Sequence, residues 1–384
     1  VKVLHVIDGL NDGGAERLLA CLARSGAGVE TLVASLSAPT DATASQARIL
    51  QEAGLVPSYI GVGRLLERRA TAAVAAAVMR SGCDVVHAHL EYSTVLAARA
   101  ARRTGHPFVS TLHHTVARDS PLRERLKERW ALRAAGRAGT SLFVSQASLQ
   151  AAERLYGRRG ADWRVIHNGV DMDGFTPPRH GRRAALPPEL GVPAGAPVVA
   201  MVAALREPKG HRIAFQAWPA VRAAVPGAVL LVVGEGTEQE QLRAAAPEGV
   251  VLAGRRSDVA AILRGAVVAL QTSYTEALPT ALIEAAACGA AVVATDVGGT
   301  REVVQDRITG LLTPPRDARA TAAAVVELLT DDPLRSALGA AGRDRVVDLF
   351  DHRSWGRRLA GLYHERAGGE RHVNENDELA DGVR

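Results

Sequence analysis

The chain is short of cysteine, short of lysine and without a long apolar run, and each shortage excludes something. Its three cysteines (Cys21, Cys83 and Cys288) lie far apart among 384 residues, are odd in number and form no C-x-x-C pair. Neither a disulfide framework nor a zinc site is indicated, and a reducing, cytoplasmic setting fits. The longest apolar runs, such as Thr71 to Met79, fall well short of the ~20 residues that span a bilayer. The opening Val1-Lys2-Val3-Leu4-His5-Val6-Ile7-Asp8 is too short for a secretory signal and reads as a buried first strand. Of 46 basic residues only Lys2, Lys127 and Lys209 are lysines. The Arg and Ala bias most simply reflects a GC-rich genome, so a single arginine carries little information and a lysine stands out. A 47% hydrophobic, 23% charged composition excludes a chain disordered throughout. Its length predicts two or three domains with large cores.

The net charge of +5 is unevenly spread. Residues 1–190 hold 25 basic and 17 acidic side chains, and the remainder 21 and 24, so the first half is basic and the second mildly acidic. Anionic ligands, phosphates or a membrane surface are the usual targets of such a bias.

Short apolar strands alternate with Ala/Leu/Arg helices. Strands are predicted at Val3–Ile7, Glu30–Leu36, Ser58–Gly61, Asp84–Ala88, Phe108–Leu112, Ser141–Val144 and Arg164–His167. Runs apolar on both faces, such as Val-Val-His-Ala and Val-Leu-Leu-Val-Val, mark parallel strands covered by helices on each side. Between Asp171 and Pro197, seven prolines and glycines near each other (Gly174, Pro177, Pro178, Gly181, Pro187, Pro188 and Gly191) break the rhythm and mark a linker. The alternation restarts at Val198–Ala203 and continues through Val229–Val233, Val250–Ala253, Val267–Gln271, Ala291–Thr295 and Leu311–Thr313. Two doubly wound, Rossmann-like α/β domains separated by a cleft follow. The predicted division is a domain at 1–172, a linker at 173–196, a second domain at 197–350, a helix at 351–366 and a disordered tail at 367–384.

The most informative stretch runs Ser273-Tyr274-Thr275-Glu276-Ala277-Leu278-Pro279-Thr280, then through Glu284 to Gly289. A strand ends near Thr272, and Pro279, favoured at a first helical position, opens a helix. Free amides around Ala277, Leu278 and Thr280 then face out of a helix N-terminus, where the macrodipole favours an anion such as a diphosphate. Glu276 and Glu284 flank that position. Two carboxylates there suit sugar hydroxyls rather than phosphate, as charge-assisted acceptors.

Glu276, seven residues, Glu284, then Ala-Ala-Ala-Cys-Gly-Ala-Ala-Val-Val-Ala-Thr-Asp-Val-Gly-Gly resembles the E-x7-E signature of family-4 retaining glycosyltransferases, from Val3 to about Tyr363. The resemblance implies the GT-B fold, with a nucleotide diphosphate sugar held mainly by the second domain. It assigns Glu276 to donor-sugar hydroxyls and Glu284 to the ribose.

Three further segments match that family's pattern. Asn11-Asp12-Gly13-Gly14-Ala15-Glu16-Arg17 follows the first strand, and Gly13 and Gly14 let backbone approach a phosphate; the resemblance places them on the donor diphosphate. Thr111-Leu112-His113-His114 matches a T-x-H motif, which puts His113 near the reacting carbon and gives His114 no role. In Leu205-Arg206-Glu207-Pro208-Lys209-Gly210, Lys209 matches the lysine that neutralises the diphosphate. The usual arginine position is Ala204, which leaves Arg206 as its candidate replacement. Gly254-Arg255-Arg256-Ser257-Asp258 occupies the place where the family cups the base, which makes Arg255 a candidate contact. His167-Asn168-Gly169 reads as a turn supporting the linker.

No metal or cofactor is predicted. Asp171-Met172-Asp173 has a D-x-D form but lies at the linker, and His87-Ala88-His89 shows no third ligand in the sequence. The implied reaction is hexosyl transfer to an acceptor hydroxyl: a sugar or lipid-linked acceptor in polysaccharide or glycolipid synthesis, or a small molecule as the alternative. Nucleic acid is not a predicted partner. Arg123, Arg125, Lys127, Arg129 and Arg133, with Leu122, Leu126 and Trp130 at i, i+4, i+8, fit either a peripheral helix on an anionic inner-membrane face or a helix packed on its sheet. A GT-B epimerase or phosphorylase and a non-catalytic sugar-nucleotide binder are the competing classes.

Overall fold

The computed structural model describes residues 1–10, 14–39, 44–62, 68–114, 120–157, 162–178 and 183–368. The first lobe runs β1 (Lys2–Ile7), α1 (Gly14–Arg24), β2 (Glu30–Ser35), α2 (Ala44–Glu52), β3 (Ser58–Tyr59), α3 (Arg68–Ser81), β4 (Val85–His89), α4 (Glu91–Thr104), β5 (Phe108–Leu112), α5 (Leu122–Gly136), β6 (Gly139–Phe143), α6 (Gln146–Tyr156) and β7 (Asp162–Val165). Its seven parallel strands lie in the order β3-β2-β1-β4-β5-β6-β7. Val3, Leu4, Val6 and Ile7 are all buried, as a strand covered on both faces requires.

The second lobe repeats the plan: β8 (Val198–Val202), α7 (His211–Ala224), β9 (Val229–Val233), α8 (Gln239–Ala245), β10 (Val250–Leu252), α9 (Val259–Gly265), β11 (Val268–Gln271), α10 (Thr280–Ala287), β12 (Ala291–Thr295), α11 (Thr300–Val303), β13 (Leu311–Thr313) and α12 (Ala318–Thr330). The order β10-β9-β8-β11-β12-β13 reverses between β8 and β11, as the first sheet does between β1 and β4. In open sheets of this kind the crevice outside the strand ends at that reversal is where ligands bind. Two long helices, α13 (Asp332–Phe350) and α14 (His352–Gly368), close the chain. α14 crosses back to the first lobe, where Trp355, Leu359, Leu362 and Tyr363 share a core with Val3, Val85, Val109 and Leu142.

Each of the thirteen predicted strands has a counterpart. The Leu122/Leu126/Trp130 stripe does not pack on the sheet: those side chains are 67%, 42% and 59% exposed. α5 instead buries Glu128, Ala131, Leu132 and Ala135, where Ala131 and Ala135 let it approach α4 and β6 closely and Leu132 fills the core. Among the described residues no helix is long and apolar enough to cross a membrane. The predicted tail from residue 369 onward and residues 179–182 of the predicted linker lie outside the described residues.

Candidate active site

In the second lobe, the loops that leave β8 and β11 meet at the sheet's reversal. Tyr274 N–H donates to the Pro208 carbonyl at 2.8 Å and Thr272 Oγ1 to the Gly210 carbonyl at 2.9 Å. Lys209 Nζ lies 2.6 Å from Glu276 Oε1, and the same oxygen accepts from Ser273 Oγ at 2.7 Å and Gln271 Nε2 at 3.1 Å. Glu276 is 7% exposed. A carboxylate this buried needs its charge matched and its lone pairs occupied; three donors on one oxygen achieve this and leave Oε2 outside that set.

Behind the loop, Gly298 (φ +50°) and Gly299 sit where added β-carbons would overlap the Glu276 and Ala277 carbonyls, and Gly299 N–H donates to Glu276 O at 3.1 Å. Glycine is required here because backbone lies directly on backbone. These two residues belong to the Val-Gly-Gly after β12 and hold the Glu276 loop in place.

The helix start differs in detail from the sequence expectation. Pro279 is the N-cap (φ −78°, ψ 84°), and α10 begins at Thr280. The Thr280 amide is not free, since it donates to the Leu278 carbonyl at 3.0 Å; the turn before the helix tightens and consumes it. The Ala277 and Leu278 amides donate to no group among the described residues. Glu284, in the second turn of α10, has its pKa pushed up to about 7 by burial, against the pull of Arg17. Arg17 belongs to α1, so the first lobe's glycine-loop helix faces α10.

The first lobe contributes a row of imidazoles. His5 pairs in register with His87 across β1 and β4, and His89 pairs with Thr111 across β4 and β5. Strand periodicity then puts His5, His87, His89, Thr111 and His113 on one face. His5 Nδ1 lies 2.9 Å from His89 Nε2, and His89 Nδ1 lies 2.9 Å from His113 Nε2. His87 is held separately, by Tyr363 Oη and Thr111 Oγ1 at 2.7 Å each. Burial pushes the pKa of His5 down to about 3 and that of His113 to about 4, and those of His87 and His89 well below the usual value. All four are neutral at physiological pH. His114 goes the other way: although burial opposes its charge, Glu91 at 2.5 Å holds its pKa above the ordinary value.

The lobes are joined beside this crevice. Glu302 of α11 accepts from the Gln146 and Ala147 amides at the start of α6, at 2.9 Å each, and lies 2.7 Å from His167 Nε2. Burial would raise the Glu302 pKa, but His167 and those amides hold it below the usual range. His167 is therefore an inter-lobe contact and not merely a turn residue.

The structure thus brings Lys209 and Glu276 together and sets Glu284 opposite Arg17. Gly14 opens α1, while Gly13 lies outside the described residues. Arg206 is exposed at the N-cap of the Glu207–Lys209 turn, and Arg255 is exposed and bonded to Glu235 at 3.2 Å. His87-Ala88-His89 does have a third imidazole nearby, His5, supplied by strand pairing across 82 residues. Both nitrogens of His87 and of His89, and Nδ1 of His5, are already engaged in hydrogen bonds, so the row is occupied by its own contacts. His352 likewise joins Asp171 and Asp173, but Asp171 Oδ1 is taken up by the Asp173 and Gly174 amides and Asp173 pairs with Arg353. Sequence reasoning missed His5, Gln271, Ser273, Arg17 and Glu302. Of these, Arg17 and Ser273 lay in segments already singled out.

Comparison with known proteins follows the same division. The family "Glycosyltransferase Family 4" matches residues 12–173 and "Glycosyl transferases group 1" matches residues 196–331. The chain is 31% identical over 305 residues to glycogen synthase of Mycobacterium tuberculosis, covering 75% of this chain and 70% of the relative. It is 31% identical over 272 residues to phosphatidyl-myo-inositol mannosyltransferase of Mycobacterium leprae, covering 68% of each. In architecture it is similar to HepE of Anabaena, solved in complex with UDP and glucose (TM-score 0.82, 22% identity, covering 94% of this chain and 98% of that one).

Proposed function

The chain belongs to glycosyltransferase family 4, and from that premise we propose that it transfers a hexosyl group from a nucleotide diphosphate sugar to an acceptor hydroxyl with retention. The supporting observation is the loop pair at the β8/β11 reversal, where Lys209 and Glu276 hold each other at 2.6 Å. A diphosphate entering there exchanges one anionic partner of Lys209 for another and releases the Glu276 carboxylate to sugar hydroxyls. As the bond between the anomeric carbon and the phosphate oxygen breaks, the departing diphosphate gains charge. Lys209 and the Ala277 and Leu278 amides meet that charge, which is electrostatic stabilisation where it develops. The acceptor oxygen bonds to the anomeric carbon on the same face, and its proton passes to a phosphate oxygen. This reading needs no metal, because the lysine and helix start supply the positive charge. Glu284 is assigned to the ribose and His113 to the donor sugar. Closure of the lobes excludes water that would otherwise hydrolyse the donor.

A lipid-linked acceptor at an anionic membrane is the reading favoured by α5. Its outward face carries Leu122, Leu126 and Trp130 among Arg123, Arg129 and Arg133, all exposed, the composition of an interfacial helix. Among its relatives, the Mycobacterium leprae mannosyltransferase is named for a phosphatidyl-inositol acceptor.

Thermal shift against UDP-, GDP- and dTDP-sugars identifies the donor, and slow hydrolysis of that donor separates an enzyme from a binder. Unchanged donor turnover in Glu276→Ala would refute the assigned role. Flotation with vesicles of anionic phospholipid, lost in Trp130→Ser/Leu126→Ser and absent with neutral vesicles, tests the membrane face; equal flotation of the variant would refute it.

A further inference from the structure

We propose that His89, backed by His5, is a positioning residue that fixes which nitrogen of His113 carries its proton, so that His113 offers Nδ1–H as a hydrogen-bond donor at the cleft end of β5. This rests on the assignment of His113 to the donor sugar. His113 Nε2 is taken by His89, so Nδ1 is the nitrogen left for any ligand, and it has no partner among the described residues.

Three neutral imidazoles in a row have two consistent arrangements, because each contact needs one N–H and one lone pair. In the first, His113 Nε2–H donates to His89 and His89 Nε2–H donates to His5. That leaves His5 Nε2–H as a donor without an acceptor at a residue that is 0% exposed. In the second, His5 Nδ1–H donates to His89 Nε2, and His89 Nδ1–H donates to His113 Nε2. The spare proton then sits on His113 Nδ1, which is itself buried but belongs to the partly exposed residue at the cleft end of the row. Each arrangement leaves one buried N–H without an acceptor among the described residues, but only at the cleft end can a bound ligand supply that acceptor, so the second arrangement is the one that ligand binding completes.

Two features hold the relay. His87 stacks on His89 with ring centroids 4.3 Å apart and is itself anchored by Tyr363 and Thr111. Leu90, directly after His89, has φ +71° and ψ 179°, a conformation that side-chain-bearing residues rarely adopt and that persists where the surroundings enforce it. Ser93 Oγ donates to the His89 carbonyl and Ser93 N–H to Asp8 Oδ1 at 2.6 Å, which pins the end of β4 to the loop after β1. The cavity beside the row holds about 10 Å³, room for about one water and none for a sugar. His5 and His89 therefore act through His113 and not on substrate.

The test uses the full chain labelled with ¹⁵N-histidine. Long-range ¹⁵N–¹H correlations distinguish Nδ1–H from Nε2–H imidazoles, and loss of one signal in His113→Asn assigns His113. The wild type shows His113 neutral with its proton on Nδ1; a proton on Nε2 overturns the proposal without any variant. His89→Leu, which lacks both nitrogens, yields a mixture of tautomers and lowers kcat on the donor by about 10–100-fold with KM little changed. His89→Gln, with one amide donor and one carbonyl acceptor, restores most of kcat. An unchanged His113 tautomer in His89→Leu overturns the proposal, and where that variant does not fold, His5→Gln takes its place. One equivalent of Zn²⁺ bound to the row would make the imidazoles ligands and also overturn it. Unchanged turnover in His113→Asn removes His113 from the transfer reaction and leaves the tautomer result standing, so the two failures are distinct.

Discussion

Glu284→Gln tests the electrostatics of the crevice most directly. In the folded chain the Glu284 pKa is near 7, against an ordinary 4.5, with burial the dominant cause. A carboxyl group raised in this way favours folding while it is protonated. Its contribution is fully present below pH 4.5 and is lost as the pH rises to about 7. The interval corresponds to at most about 3 kcal/mol at 1.36 kcal/mol per pH unit. Glu284 keeps some contact with solvent, so a working figure is about 1–2 kcal/mol. Glutamine has no charge to desolvate. The variant and wild type therefore unfold at nearly the same temperature at pH 4.5, and the variant unfolds about 1–3 °C higher at pH 8.

Ligand affinity moves in the opposite sense. If ribose hydroxyls donate to this carboxylate, wild-type affinity for the sugar nucleotide rises with pH up to about 7 and then levels, with proton release on binding below that point. A sugar nucleotide is the right probe, because its doubly esterified diphosphate does not titrate there. Glu284→Gln binds more weakly and loses the pH dependence, and Arg17→Ala moves the wild-type midpoint upward. Differential scanning calorimetry and isothermal titration at pH 5, 6, 7 and 8 read all three. A Tm difference that is the same at pH 4.5 and pH 8 refutes the reasoning, whatever happens to activity.

Three further outcomes follow from individual contacts. Lys209→Ala leaves Glu276 buried without its cation and removes the charge assigned to the leaving group; donor turnover falls by about 10²–10³-fold, and a loss below fivefold contradicts that assignment. Gly298→Ala forces a β-carbon onto the Glu276 carbonyl, so the loop shifts, donor-induced thermal stabilisation disappears and the far-ultraviolet circular dichroism spectrum is kept; retained donor binding would show that the loop has slack. Glu302→Ala strips two amides and His167 of their acceptor and costs about 1–3 kcal/mol. Small-angle scattering then shows a wider distribution of inter-lobe distances, and an unchanged profile would mean that α14 alone sets the closure.

Much of the architecture is legible in the sequence, for a definite physical reason. Strands buried on both faces, such as β1 and β9, must be apolar at nearly every position, and the Pro/Gly-rich break between them separates the repeats. The Glu276 loop is legible too, because its strand end, helix start and second carboxylate are consecutive in the chain. What is not legible depends on register. His5 and His89 are 84 residues apart and meet only because β1 and β4 pair in parallel with His5 opposite His87. Glu302 is an ordinary helix glutamate until the lobes dock and α6 presents its free amides. The outward turn of Leu122, Leu126 and Trp130 reverses the usual reading of an apolar stripe, since α5 buries a different face, that of Glu128, Ala131, Leu132 and Ala135.

The two lobes repeat one topology, yet they furnish the crevice with opposite electrostatics. The second lobe brings a buried ion pair to its sheet reversal, and the first brings neutral imidazoles to its own. A diphosphate and a hexose need these different surroundings. The diphosphate leaves with added negative charge, so a lysine and oriented amides help it most where that charge develops. A hexose carries hydroxyls throughout, and a full cation beside the anomeric centre would oppose the positive charge that builds there as the bond breaks. Burial holds His113 near pKa 4 and keeps it a neutral donor, while the protonated form is favoured one residue away, where His114 meets Glu91. That contrast between neighbours follows from their partners: imidazoles behind one and a carboxylate beside the other. Replacing Glu91 with glutamine should therefore return the His114 pKa toward neutrality and leave the His113 tautomer untouched. The same ¹⁵N spectra report both, and a change at His113 would show that the relay is not insulated from the charge beside it.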